Sequence, residues 1–224
     1  INAAITGVAF ERGEPDILNL VTEPTEEEVT EASRRAITRY IDSADEAWIS
    51  AIFTLVGKLN RKGQQSEILA RISGELVLRG IDTGKEQYIE RALNTLEAIS
   101  IRKYRSEILS EIIPHLIRYG EEHRNVEILQ HVLAMLPEIS TLSERAKLSA
   151  GLARAIATVG MVSKDRGLLI QGLSIAAGIE QKIQRTGTIS DIVNGAWRSP
   201  LKAEIADIAN ILDSIREIRQ ERMA

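Results

Sequence analysis

Apolar residues recur along this chain at spacings of three and four, and the same columns return every 40 residues. One set reads Ile49, Ile52, Phe53, Val56 and Leu59, then Ile89, Ala92, Leu93, Leu96 and Ile99. It continues as Leu129, Val132, Leu133, Leu136 and Ile139, and loosens to Leu169, Gly172, Leu173, Ala176 and Ile179. A second set reads Val29, Ala32 and Ala36, then Leu69, Ile72 and Leu76, then Leu109, Ile112 and Leu116, then Leu152 and Ile156. Such spacing puts each set on one stripe of an amphipathic α-helix. Two stripes per period make a helical hairpin, with helices A and B, and a fixed period of this size marks a repeat array. The segments 66–80 and 106–120 show it best, both opening on Ser-Glu-Ile-Leu and closing on glycine.

The period also predicts where helices start and stop. Gly80, Gly120 and Gly160 fall at the end of helix A, where a left-handed glycine ends a helix without a Cβ clash. The first full helix A is expected to run from the capping box Thr25-Glu26-Glu27-Glu28 to about Tyr40. Ser43-Ala44-Asp45-Glu46, Thr83-Gly84-Lys85-Glu86 and Ser163 are expected to open B helices, and Thr141-Leu142-Ser143-Glu144 to cap the fourth helix A. The fourth helix A has small residues on nearly every face (Ala146, Ala150, Gly151, Ala153, Ala155, Ala157) and is expected to be the most buried.

The N-terminal region breaks the pattern. Aligning residues 1–13 on 68–80 places Ile1 where a helix is already under way, so the natural chain is expected to extend further. The interval from Gly13 to Tyr40 is shorter than the period, which leaves a short first hairpin over 1–23 and a change of pitch there. Pro15 suits the first position of a short helix that stops by Pro24. The regular array is expected over 24–224, in hairpins at about 25–60, 64–100, 102–140, 142–182 and 185–222. In the last, helix A is expected at 188–198 and helix B from Pro200 to about Glu221.

Composition narrows the class. Of 224 residues 44% are apolar but only 4% aromatic, so the apolar mass is Ile, Leu, Ala and Val, as in stacked helices. A net charge of −4 provides no global basic field for nucleic acid or anionic membrane. With no cysteine, disulfides, thiolate catalysis and cysteine-bound zinc are excluded together. No apolar run approaches the ~18 residues of a membrane span and no signal-peptide pattern is visible, so a cytoplasmic location is expected.

Paired helices with this period and a turn glycine resemble the α-solenoid superfamily of tetratricopeptide, HEAT and armadillo repeats. The period is longer than the tetratricopeptide's, and that family's Trp, Gly-Tyr and Pro positions are not matched; Pro114 inside a helix A is similar to the HEAT kink. The Ile-, Glu-, Arg- and Leu-rich style is also similar to uncharacterised archaeal helical-repeat proteins. The resemblance implies an all-α, right-handed solenoid of about five and a half antiparallel hairpins, irregular near the N-terminus. It is architectural and carries over no site residue.

Little in the chain points to chemistry. Gly80-Ile81-Asp82-Thr83-Gly84-Lys85-Glu86 has one residue too few between its glycines for a phosphate loop, and Glu where Ser or Thr is needed. His123 and His131, eight residues apart on one helix, lie on different faces, which argues against a metal site. Glu67-Arg71-Glu75-Arg79 reads as an i,i+4 surface ladder. The column Trp48, Tyr88, Ile128 and Leu168 reads as packing. No catalytic residue, cofactor or metal is expected, and the chain is read as a non-enzyme.

One pattern remains. The turns between repeats carry Arg61 and Lys62, then Arg102, Lys103 and Arg105, then Arg145 and Lys147, then Lys182 and Arg185. The turns within hairpins carry Asp42, Asp45 and Glu46, then Asp82 and Glu86, then Glu121 and Glu122. Helix dipoles give a structural reason for this, with cations at the C-terminus of helix B and acids at its N-terminus. The functional reason would be a basic ridge, with Tyr104, Tyr119 and Trp197 as exposed anchors beside it. The expected function is a scaffold that binds a protein partner along a solenoid surface. The alternatives are RNA binding through the basic ridge, or a regulatory segment of a larger enzyme.

Overall fold

The computed structural model describes residues 1–199, which are helical with no strand among them. The helices are α1 (Asn2–Arg12), α2 (Glu26–Ser43), α3 (Glu46–Gly57), α4 (Lys62–Thr83), α5 (Glu86–Glu97), α6 (Arg102–Glu122), α7 (Val126–Met135), α8 (Leu142–Ser163), α9 (Arg166–Ala177) and α10 (Lys182–Trp197). A 3₁₀ segment, Pro15–Leu20, follows α1, and a second, Leu136–Glu138, follows α7. The expected helix B after Pro200 lies outside the described residues. The fold consists of two compact units that divide between Ile108 and Leu109.

Helix starts keep the period: B helices begin at Glu46, Glu86, Val126 and Arg166, and A helices at Lys62, Arg102, Leu142 and Lys182. The last of these starts well before the expected residue 188. Helix ends correct the sequence reading. Gly80, Gly120 and Gly160 do not terminate helix A; each sits inside it, two or three residues before its end. The left-handed residues come four positions later, at Ala44, Gly84, Arg124 and Lys164, with φ of 55, 65, 53 and 58°. Helix α2 accordingly runs on through Ser43.

The earlier glycines have a different task, close approach. A Cβ at Gly80 would lie 2.7 Å from Ile89 Cγ1, one at Gly120 2.7 Å from Leu129 Cδ2, and one at Gly160 2.7 Å from the Leu169 backbone nitrogen. The first turn of each B helix thus presses onto bare backbone of its A helix. The carbonyls at these positions accept the amides of Lys85, Asn125 and Asp165 at 3.0, 2.8 and 2.8 Å. The Ala9 carbonyl accepts the Glu14 amide in the same way at 3.0 Å, and Gly13 is the left-handed cap of α1. Residue 13 therefore corresponds to 84, not 80, and the N-terminal alignment shifts by four.

Capping follows suit. Thr25 and Glu28 form the expected box, Glu28 N–H to Thr25 Oγ1 at 3.3 Å and Thr25 N–H to the Glu28 carboxylate at 2.9 Å. Ser43, Thr83 and Ser163 end A helices and do not open B helices. The caps are instead Asp45, Lys85, Asn125 and Asp165, of which Asp45, Asn125 and Asp165 accept an amide from the first turn. Thr141 is the N-cap of α8, through its backbone alone.

In the first unit Ile49, Ile52, Val56, Ile89, Ala92 and Leu96 are buried as expected, with Trp48 and Tyr88 beside them. Phe53 and Leu93 are only half-buried, as is Leu133 in the second unit. The inward stripe is turned toward Leu55 and Thr95, so the third position of the expected column lies at its margin. In the second unit Ala153, Ala157, Leu169, Leu173, Ala176, Ile192 and Ala196 form one cluster. The small residues of α8 admit close neighbours: a Cβ at Gly172 would stand 2.7 Å from the Ala153 carbonyl oxygen. Helix α8 buries ten residues, but α4 buries as many, so it is not the more buried of the two.

A candidate binding site on helix α2

Helix α2 commits one stripe to the core (Val29, Ala32, Ala36, Ile37, Tyr40) and leaves Arg34, Arg35, Thr38, Arg39 and Asp42 on the side facing α1. There they line a cavity of about 310 Å³ together with Phe10. Phe10 is itself buried, stacked on Trp48 with ring centroids 4.9 Å apart and planes 13° from parallel. The Arg35 guanidinium covers its other face, Cζ 4.1 Å from the ring centroid, a cation–π arrangement that holds it in place. Arg39 Nη2 donates to the Phe10 carbonyl at 2.9 Å, placing a cation at the C-terminal end of α1, where the dipole favours it. Among the described residues neither Arg35 nor Arg39 is paired with a carboxylate, whereas Arg34 is bound through Nε and Nη2 to Glu31 at 2.9–3.2 Å.

Arg34 also borders a second depression, about 240 Å³, between α2 and α4. These helices run parallel and in step: Gln64 Nε2 donates to Glu26 at 2.8 Å near their starts, and Ile37 faces Ile72 further along. Ile37, Ile68 and Ile72 floor this groove, and Thr30, Arg34, Arg71 and Glu75 wall it. The ladder predicted on α4 is present, Arg71 to Glu67 at 2.6 Å and Arg79 to Glu75 at 2.9 Å. Such exposed pairs contribute little to stability, but they neutralise the α4 wall. The positive charge of the surface is thus left to Arg35 and Arg39.

Behind the groove, Tyr40 donates to Glu46 Oε1 at 2.7 Å, and Arg91 stands 3.5 Å from the other carboxylate oxygen. Tyr88 packs edge-on against Tyr40 with centroids 5.1 Å apart and donates to the Ile41 carbonyl at 2.9 Å. Burial, then the bond to Glu46, raises the Tyr40 hydroxyl pKa far above the usual phenol value. At the start of α2 the Thr25 amide holds the Glu28 carboxyl below its usual range.

The basic ridge is dispersed among different roles. Arg61 is the N-cap of α4; Lys62, Arg102, Lys103, Arg105, Arg145, Lys182 and Arg185 lie in the first turns of A helices, and Lys147 in the second turn of α8. The dipole account of the cations is therefore corrected: they occupy the positive ends of helices, and α4, α6 and α10 have no acid in the first turn. The acids Glu46 and Glu86 do begin B helices. Arg185 is half-buried and reaches back to the Ile179 carbonyl at 3.0 Å, and Gln65, three periods earlier in the same column, does the same to Leu59 at 2.7 Å. Arg105 and Arg145 share that column and are also half-buried. Arg61, Lys62, Arg102, Lys103, Lys147 and Lys182 are exposed, Lys103 standing 3.9 Å from Glu107.

In the first unit, Ser100 and Ile101 lie against the start of α4, with Ser66 Oγ accepting the Ile101 amide at 3.3 Å. Arg61, Lys62, Arg102 and Lys103 thereby share one end of that unit. The aromatic anchors are corrected too. Tyr119 is only 3% exposed and stacks on His123 with centroids 4.1 Å apart, and Tyr104 is half-buried. Trp197 is exposed.

Arg34, Arg35 and Arg39 were not legible as a site from the sequence. One signal existed: the positions one, two and three periods after Arg35 are Glu75, His115 and Ala155, so its column supplies no repeating reason for an arginine. Among the described residues no group of three or more His, Asp or Glu is placed to hold a metal ion, and no helix is long and apolar enough to cross a membrane. Comparison with known proteins finds no matching family model, no matching curated protein and no matching solved structure.

Proposed function

We propose that the hairpins stack as a right-handed α-solenoid of the tetratricopeptide and HEAT kind, and that the chain is a non-enzymatic cytoplasmic scaffold for a protein partner. The observation that carries this reading is the groove between α2 and α4, floored by Ile37, Ile68 and Ile72 and walled by charged side chains. An aliphatic floor with a polar rim suits an inserted side chain of a peptide segment, the division of labour seen across protein interfaces. The test is capture of partners from native lysate by the tagged full chain, with and without nuclease, beside a Thr30→Trp variant that fills the groove from its half-exposed wall. Nuclease-resistant capture that Thr30→Trp abolishes is the expected result; capture indifferent to Thr30→Trp overturns the reading.

One observation favours a second reading, RNA binding through the basic ends of the A helices. The exposed cations at Lys62, Arg102, Lys103 and Lys182 oppose their own helix dipoles, at a cost of about 0.3–1 kcal/mol each. Capture that nuclease removes would support it.

A further inference from the structure

We propose that the cavity beside Phe10 is the anchor for an acidic side chain of that partner, with Arg35 and Arg39 as the carboxylate-binding pair. This rests on the scaffold reading and gives the partner a chemistry: a segment in which a carboxylate stands next to an aliphatic residue. Among the described residues the contacts of these two neighbouring arginines are to Phe10, its ring for Arg35 and its carbonyl for Arg39. Both are also held in place before any ligand arrives. Arg35 sits over a ring that is stacked on Trp48, and Arg39 is tied to the Phe10 carbonyl. The rotamer entropy that a free surface cation loses on binding has here been lost already, which is the usual source of affinity in a preorganised site. A guanidinium has five N–H donors in a planar fork that matches a carboxylate. Asp42, on the rim, discourages a second negative charge at that end.

The surroundings favour protein over nucleic acid. Arg34 borders both cavities, so a carboxylate at Arg35 and Arg39 would leave the adjacent residue of its chain at the aliphatic groove. A sugar–phosphate backbone has nothing to place on Ile37, Ile68 and Ile72. The one aromatic ring in the site, Phe10, is covered on both faces and offers no platform for a base.

The test uses the full chain and three fluorescein-labelled probes: a peptide alternating Asp or Glu with Leu, its counterpart with Lys for the acids, and an oligouridylate. The acidic peptide is expected to bind and the lysine peptide not. Arg35→Gln/Arg39→Gln together should weaken binding by about tenfold or more, as loss of charge-assisted bonds implies. Arg39→Gln alone leaves Arg35 on the Phe10 ring and should weaken binding in the same direction, so it decides the matter if the double variant melts early. Equal binding by native and Arg39→Gln protein overturns the anchor, and so does failure of the acidic peptide to bind. If Thr30→Trp still abolishes binding or capture in those cases, the groove survives without the anchor. Oligouridylate binding that is lost in the arginine variants, with no peptide binding, overturns both.

Discussion

At the turn between α2 and α3 the A helix carries Tyr40, whereas one, two and three periods later the same place holds Gly80, Gly120 and Gly160. The glycines let a B helix sit directly on the A-helix backbone, with no room for even one carbon. Tyr40 fills the corresponding junction with a ring that is 2% exposed, packs on Tyr88 and hydrogen-bonds Glu46. One spacing along the chain is therefore met by two kinds of packing, absence of a side chain or a large one with a satisfied hydroxyl. The junction that departs from glycine is also the one beside the arginine cavity, on the same helix.

The largest effect should come from emptying the tyrosine junction. Tyr40→Ala is expected to cost about 3–5 kcal/mol, as for other large aromatic truncations, read by urea unfolding. If the turn instead collapses into a glycine-like arrangement, the loss will be under about 1 kcal/mol and the contrast drawn above fails.

The converse change is to fill a glycine junction. Gly160→Ala is expected to cost about 1–3 kcal/mol or more, because the added carbon meets the Leu169 nitrogen, the Asp165 oxygen and Leu168 Cβ at 2.7–2.9 Å. Gly80→Ala should cost less, since its nearest neighbour is an atom of the Ile89 side chain. Equal losses at the two would show that side-chain adjustment does not matter.

Tyr40→Phe keeps the ring and loses the hydroxyl, for a loss of about 1 kcal/mol at neutral pH. It also probes the raised pKa. A group whose pKa is higher folded than unfolded lends stability below the unfolded value, about 10 for tyrosine, and loses it as pH rises beyond. Melting temperatures of the native chain should therefore fall more steeply above that pH than those of Tyr40→Phe. Parallel curves would remove Tyr40 as the cause.

The smallest effect has the opposite sign. Gly187 lies within α10 with nothing within 4 Å of where a Cβ would be, so Gly187→Ala should stabilise by about 0.5–1 kcal/mol. A loss there would mean that packing, and not only backbone freedom, holds glycine at that place.

Much of this architecture was readable from periodicity. Helix pairing followed from where Ile, Leu and Val recur, because burial of one stripe is the dominant local demand; the B-helix caps lie two residues beyond the expected Ser43, Thr83 and Ser163, and α10 starts at Lys182 instead of 188. The glycine column was visible but its purpose was not. A glycine that ends a helix and one that admits a neighbour leave the same letter, and only the four-residue offset to Ala44, Gly84, Arg124 and Lys164 separates them. Leu133 looked like core from its spacing, yet a stripe one residue wide of the axis leaves it half-buried. The cations were read as residues of the turns between repeats, but all except Arg61 lie inside A helices, because where the next helix begins decides whether a dipole helps or opposes them. The arginine cavity needed tertiary contact: nothing in the letters places Phe10 against Arg35 and Trp48.

The spacing of the caps has a consequence for how such a chain tolerates changes in length. Asp45, Lys85, Asn125 and Asp165 stand at one fixed interval, and so do the left-handed residues before them. Dropping a single residue inside α4 would turn everything after it by about 100° and swing its buried stripe off its partners. Removing or duplicating a whole interval leaves every cap-to-glycine count as it was. Related chains that differ in length should therefore differ by whole intervals, with odd insertions confined to the irregular stretch before Thr25.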